Sequence, residues 1–469
     1  MLAALAVAIL AGLMAPAGCA PEPAEVEAVR IPASAPAPLR LGVGRVSITP
    51  TDTEFLAGGV PYRRWVQAHD DLWARALVLD DGVRRFALVA IDLIGLYADD
   101  VARARAALSD RGEKLDYVMI AATHTHNGPD VLGAWAPQIG PWIGGYRKQL
   151  PDKIAEAVSI ALRDLREVRI RAYSGPVGQR LNKDTRPPEV LDETLTVWQA
   201  RDAATSACRV TVIHFAAHPI LVPAANFDIS SDFPHYLREY VERGGDGDDG
   251  PIEAPGGMCV FFNGALGGRL TPGNVSPLKR PHRTRDLGYD RAQGYAYRLA
   301  RRSLMQLAEH GVDWPAEVSL GVRSAPVQVE LQNGLLRWGT NLCAFDRGVR
   351  AGKVTSEVAL IDFGPLLLAC VPGMLFPESV FGGAAPIRGS DFPDAAAESP
   401  ALRELVGDRQ LVVVGLANDM LGYLIPKPLW DSEPPYTSRD GEAPYGEMIS
   451  PGPDACATVM TAFGRLAAE

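Results

Sequence analysis

The chain has 469 residues, 47% of them apolar and 22% charged, with a formal net charge of -10. That length and composition fit a large folded core and exclude a disordered chain. Lys and Arg are dispersed along an acidic chain, which excludes a surface that tracks nucleic-acid phosphates.

The first stretch, "MLAALAVAILAGLMAPAGCA", is an apolar run of signal-peptide length, too short for a convincing membrane span. Small residues precede Cys19, as at a bacterial lipoprotein processing site. The expectation is a signal peptide over 1–19 and an exported chain held at the membrane by a lipidated Cys19, the alternative being plain cleavage to a periplasmic or secreted protein. Residues 20–40, rich in Ala, Pro and Glu, read as a tether, and 41–469 as one domain. The other five cysteines show no CxxC spacing, so no zinc ribbon is expected, and Cys259 and Cys370 sit in apolar runs as buried thiols.

Within 41–469, "RRFALVAIDL", "LDYVMIAA", "CRVTVIHFAA", "MCVFFNG", "SEVALIDFG", "LLLACVPG" and "RQLVVVGLAND" predict buried strands. "YADDVARARAALSDRG", "LPDKIAEAVSIALRDL", "YDRAQGYAYRLARRSLMQLAEHG" and "DACATVMTAFGRLAA" have helical spacing, with Pro151 expected near the start of its helix. "ALIDFGPLLLACVPG" reads as a hairpin. The fold class is therefore α/β, a large mixed β-sheet core flanked by helices. Asp246, Asp248 and Asp249 form a solvated loop rather than an EF-hand, because Gly257 stands where the loop needs its glutamate.

Polar residues collect where these strands end: Asp92, Thr123 to His126, His218, Asn263, the Pro372-Gly373 turn leading to Glu378, and Asn418-Asp419. Strand ends of open α/β sheets are where sites gather. His124 and His126, at i and i+2, suit a metal or acid–base pair, and His218, nearer its strand end than His214, is the preferred partner. Glu378 and Tyr423 can complete a catalytic zinc centre of three or four protein ligands. No GxSxG elbow, P-loop or GxGxxG follows a strand.

"GVGRVSITP", "HDDLWARALVLDDG", "ATHTHNGP", "FAAHP", "SSDFPHYLREYVE", "FFNGALGGRLTP", "VPGMLFPE" and "ANDMLGYLIP" occur in the order found in neutral, non-lysosomal ceramidases, and the chain resembles that family over roughly residues 40 to 450. The resemblance implies a zinc-dependent amidase acting on the N-acyl bond of ceramide or another acylated lipid or amine. It assigns one catalytic zinc to His124, His218 and Tyr423, with Glu378 as the nearest carboxylate. His126 would face the scissile carbonyl, and Tyr445 of "APYGEM" resembles a site tyrosine. Asn182, Asn263 and Asn418 are candidate substrate contacts.

Three departures stand out. Met374 occupies the family's zinc-ligating glutamate position, Gly268 replaces an aspartate, and Asn182-Lys183 stands where an Asn-Arg pair is expected. Because the chain ends soon after the catalytic part, the expectation is that the family's immunoglobulin-like C-terminal domain is absent. A catalytically degenerate lipoprotein that binds a ligand without turnover is the competing reading, and ligand types alone leave manganese or iron open.

Overall fold

The computed structural model describes residues 25–52, 54–136, 145–184, 186, 189–223, 225–273, 288–341, 345, 347–395, 400–437 and 444–469. The expected signal peptide, Cys19, the first part of the tether and Cys343 lie outside these residues. Among them, no helix is long and apolar enough to cross a membrane.

Two sheets carry the fold. In chain order the elements that matter are β1 (Val29–Ile31), β2 (Arg40–Ser47), β3 (Trp73–Asp80), β4 (Arg85–Ile91), α1 (Ala98–Asp110), β5 (Tyr117–Ala122), α2 (Gly145–Arg163), β6 (Arg166–Pro176), β7 (Thr194–Asp202), β8 (Cys208–Phe215), α3 (Phe233–Arg243), β9 (Met258–Asn263) and α4 (Tyr289–His310). They are followed by β10 (Leu320–Glu330), β11 (Lys353–Phe363), β12 (Leu366–Cys370), β13 (Met374–Leu375), α5 (Pro377–Phe381), β14 (Gln410–Val414), β15 (Tyr423–Leu424), α6 (Tyr445–Met448) and α7 (Ala455–Ala468).

The larger sheet runs β9-β8-β7-β6-β2-β3-β4-β5, and the smaller runs β1-β10-β11-β12-β14. Both are mixed: β4 and β5, β8 and β9, and β12 and β14 pair in parallel, while the remaining neighbours are antiparallel. Leu77, Leu88, Trp198 and Phe262 of the large sheet share one buried cluster with Val322, Ile361, Leu368 and Val414 of the small one. The sheets therefore pack face to face. Helices α1 and α2 cover one outer flank, α3 and α4 another, and α7 backs the small sheet. This is the expected α/β architecture, and strands such as β4, β5, β9 and β12 are near continuous in apolar residues because both their faces are covered.

The "GVG" of β2 has a steric origin. A Cβ on Gly42 would lie 1.9 Å from the carbonyl oxygen of Ala161, and one on Gly44 2.1 Å from that of Ala157. Helix α2 lies directly on the strand at these two places, so only glycine fits. The same helix begins at Gly145, placing Pro151 in its interior rather than near its start.

The tether expectation needs correction for residues 29–31. Val29 and Ile31 alternate with Arg30 and pair antiparallel with Val322–Ser324, so this stretch forms the edge strand β1. Average composition hid a period-2 pattern. Cys259 and Cys370 are buried, and Cys208 and Cys456 are likewise free thiols.

Candidate functional site

β5 and β9 end opposite extremes of the large sheet's strand order, yet their carboxyl ends meet. Asn263, the last residue of β9, donates from Nδ2 to the carbonyl of Thr123 (3.0 Å) and to that of Ala217 (2.9 Å), and its Oδ1 accepts from the Ala217 amide (2.9 Å). The sheet is curled until its edges nearly close. The end of β14 joins the same seam through Gly415 N to Asn263 O (2.9 Å) and Asn418 N to Ile120 O (2.7 Å).

Closing the seam brings the histidines together. The ring centroids of His124 and His218 are 5.1 Å apart, those of His124 and His126 4.9 Å, and those of His126 and His218 6.3 Å. In the "THTH" segment the side chains divide their work. Thr123 Oγ1 donates to Asp92 (3.1 Å) and Thr125 Oγ1 to the Ser230 carbonyl (2.7 Å), which anchors the loop and leaves both imidazoles facing His218. Asp92 is in turn held by Arg238 (2.8 Å) and Ser231 (3.1 Å). His124 itself has φ 73°, a left-handed conformation uncommon for a residue with a side chain.

The tautomers of two rings follow from their partners. His124 Nδ1 lies 2.6 Å from the carbonyl oxygen of Ile94, and His218 Nδ1 2.8 Å from that of Leu270. A carbonyl only accepts, so each Nδ1 carries the hydrogen and each Nε2 presents a lone pair. Burial pushes His124 down to about 4, against a partial counter-effect of its carbonyl bond. His126 falls well below the ordinary histidine value, first through desolvation and then through His124, His218 and Arg63. At neutral pH these rings are uncharged.

The hydroxyl of Tyr423 is 3.3 Å from His218 Nε2, and His126 Nε2 is 3.4 Å from His124 Nε2. Ligands about 2.0–2.1 Å from a tetrahedral ion stand about 3.3 Å from each other, so the Tyr423–His218 spacing is compatible with two ligands of one ion. Among the described residues no three His, Cys, Asp or Glu side chains form a metal-binding group by themselves. A metal would therefore need an oxygen donor such as Tyr423. The donor set fits zinc: two imidazoles whose Nδ1 atoms are oriented by backbone carbonyls and whose Nε2 atoms carry the lone pairs, and one phenol.

Tyr445 lies beyond Tyr423, their ring centroids 6.4 Å apart. Glu378, on α5, is set elsewhere. The charges that bear on it come from Arg186 and Asp184, burial raises it to about 7, and its Oε2 meets no donor among the described residues. It lines a small cleft of ≈ 50 Å³ shared with Ser379, Lys427 and Cys456. Met374, by contrast, pairs in register with Tyr423 across β13 and β15.

The three asparagines are buried and spend their amides on the framework. Asn263 closes the seam. Asn182 bonds the Ala216 carbonyl and accepts from Tyr295 Oη (2.7 Å), and Asn418 accepts from Ile120 N (3.0 Å) and donates to Tyr117 Oη (2.9 Å). His214 stacks on Phe262 and accepts from Trp198 Nε1 (3.4 Å), away from the other histidines.

Sequence reasoning missed Arg63, Gly58 and Asp184. Arg63 is buried and donates to the carbonyls of His126 (2.7 Å), Ala57 (2.8 Å) and Gly58 (3.1 Å) and to Asn127 Oδ1 (3.0 Å), fastening the loop that carries His126. Asp184 has its Oδ2 3.1 Å from where a Cβ of Gly268 would stand, so its carboxylate fills the space beside that glycine. The adjacent "NKD" was the available signal.

No family model and no curated protein matches this chain. Solved structures do. A crystal structure of neutral ceramidase from Pseudomonas aeruginosa superposes with a TM-score of 0.68 at 20% identity, covering 92% of this chain and 74% of that one. A structure described as ceramidase complexed with C2 gives 0.65 at 18% identity, covering 92% and 75%. The chain has the neutral ceramidase fold.

Proposed function

We propose that this protein is a zinc-dependent hydrolase that cleaves an N-acyl amide bond, in ceramide or another acylated lipid or amine. The observation that carries the reading is the pair of carbonyl-tethered histidines, His124 and His218, whose rings lie 5.1 Å apart, with His218 Nε2 beside the Tyr423 hydroxyl on a ceramidase-like fold.

His124, His218 and Tyr423 would hold the ion. When bound, zinc supplies a Lewis acid that polarises a carbonyl and lowers the pKa of a water. His126 retains partial exposure and is kept neutral by burial and by its cationic neighbour Arg63. It is suited to donate an N–H to the oxygen on which negative charge grows, a neutral donor already in position before the reaction. Arg63 fixes the backbone of His126, and Tyr445 borders Tyr423 on the open side. Export and a lipid anchor at Cys19 belong to the same proposal, since they would put the enzyme beside lipid substrates.

The competing reading, a binding protein without turnover, rests on Met374 standing beside Tyr423 where the family places glutamate. Metal content of the purified protein, measured with hydrolysis of N-acyl lipids against short N-acyl amines, separates the two. One equivalent of zinc, lost in both His124→Ala and His218→Ala, and turnover lost with zinc retained in His126→Ala, is the expected result. Zinc retained in both ligand variants would overturn the assignment.

A further inference from the structure

Beyond α6 lies a second cleft, open to solvent and ≈ 600 Å³ in volume. Four carboxylates line it, Asp391, Asp431, Glu433 and Glu447, with Trp430 and Phe392 among its walls. Among the described residues no Lys, Arg or His lines it.

The carboxylates are not equally compensated. Glu447 is ion-paired with Arg186, and the Lys427 ammonium lies 5.0 Å above the Phe392 ring while bound to Asp454 (2.7 Å). Asp391 accepts from Ser432 N (2.8 Å), Ser432 Oγ (2.7 Å) and Glu433 N (3.2 Å), which are neutral donors. Asp431 is fully buried. Its Oδ2 accepts from Thr437 N (2.8 Å) and Thr437 Oγ1 (2.7 Å), but its Oδ1 meets no donor among the described residues. A buried carboxylate oxygen left without a partner is costly, and a cation seated beside it would relieve that cost. Organic cations are recognised by carboxylates combined with aromatic walls.

We propose that this cleft binds an organic ammonium ion, the amine released when an N-acyl amide is cleaved. Its role in turnover rests on the hydrolase reading above. In that reaction water adds to the acyl carbon, the C–N bond breaks, the acid leaves as a carboxylate, and the nitrogen leaves as an amine that carries a proton at neutral pH. Helix α6 connects the two places: Tyr445 at its start borders Tyr423, while Glu447 and Met448 line the cleft. The released cation would thus have an acidic cleft within a helical turn of the site.

The test is equilibrium binding of hexylammonium chloride to the full chain without substrate, followed by calorimetry, with sodium hexanoate and hexanol as controls. Hexylammonium is expected to bind and to weaken with added salt, about tenfold in Asp431→Asn and about threefold in Glu433→Gln, whose side chain is exposed and carries no framework bond. Hexanoate is expected not to bind. Equal binding of hexylammonium to the unaltered protein and to both variants, or equal binding of hexanoate, overturns the cleft. Amine binding without hydrolysis of any N-acyl substrate would remove the hydrolase reading and leave the cleft standing, whereas hydrolysis without amine binding would do the reverse.

Discussion

A Cβ on Gly58 would stand 2.5 Å from the Cβ of His126 and 2.7 Å from its Nδ1. Gly58 also has φ 76°, so the glycine serves both the turn and the imidazole packed on it. Gly58→Ala is expected to displace His126 and lower kcat at least tenfold while leaving metal content unchanged, and to cost roughly 1–2 kcal/mol of stability through backbone strain. Turnover and urea midpoints on one preparation check both parts. An alanine variant with unaltered kcat would show that the position of His126 does not matter.

The seam predicts a second outcome. Asn263→Ala removes three hydrogen bonds at one stroke and strands the Ala217 amide together with two carbonyls in a buried place. The expected loss is on the order of 3 kcal/mol. Metal affinity should fall as well, since the two histidine-bearing loops lose their tie. Asn263→Asp, which keeps the acceptor but not the donors, is expected to fall between. Retained zinc affinity in the alanine variant would mean that the loops hold their places without the asparagine.

Acid sensitivity follows from His214, whose buried ring is pushed down to about 3 by desolvation. The unfolded chain takes up a proton near 6.5 and the folded chain does not. Stability is therefore full above pH 6.5 and declines as the pH falls toward 3, by about 2 kcal/mol at pH 5 from this group alone. His214→Gln is expected to flatten the fall between pH 7 and pH 5, read as urea midpoints at the two values. An unchanged slope would show that His214 titrates normally.

Glu378 and Met374 make opposite predictions. Burial raises Glu378 to about 7, so the folded chain holds a proton there that the unfolded chain releases near 4.5, and stability is lost as pH rises from 4.5 toward 7. Glu378→Gln is expected to stabilise the protein at pH 8, on the order of 3 kcal/mol, with little effect at pH 4, and to leave zinc content unchanged. Met374→Glu, beside Tyr423, is expected to tighten zinc binding in competition with a chelator. Zinc lost on changing Glu378 would instead make it a ligand.

The strands flanking the site were legible because each is a buried apolar run, and because polar residues punctuate their ends. Histidine spacing and the ordered motifs selected His124, His126 and His218, which the fold gathers. What spacing could not give was which strands become neighbours. β5 and β9 are far apart in sequence and in strand order, and only the curl of the sheet makes Asn263 a bond between them. Asn182, Asn263 and Asn418 therefore looked like ligands for a substrate, whereas the backbone of neighbouring strand ends and two tyrosines take up their amides. Arg63 and Gly58 were invisible for the same reason: their roles depend on a loop from elsewhere in the chain. Residues 29–31 were missed because three alternating side chains are too few to outweigh the prolines around them.

The curl of the large sheet carries one more consequence. His124 hangs from the strand at one margin of that sheet, and His218 follows the strand beside the other margin. A ligand shared by the two rings would act as a clasp across a nearly shut cylinder, shortening the loop that must be closed when the margins meet. Loading the site would then slow the parting of the margins, so resistance to unfolding and readiness to react would rise together.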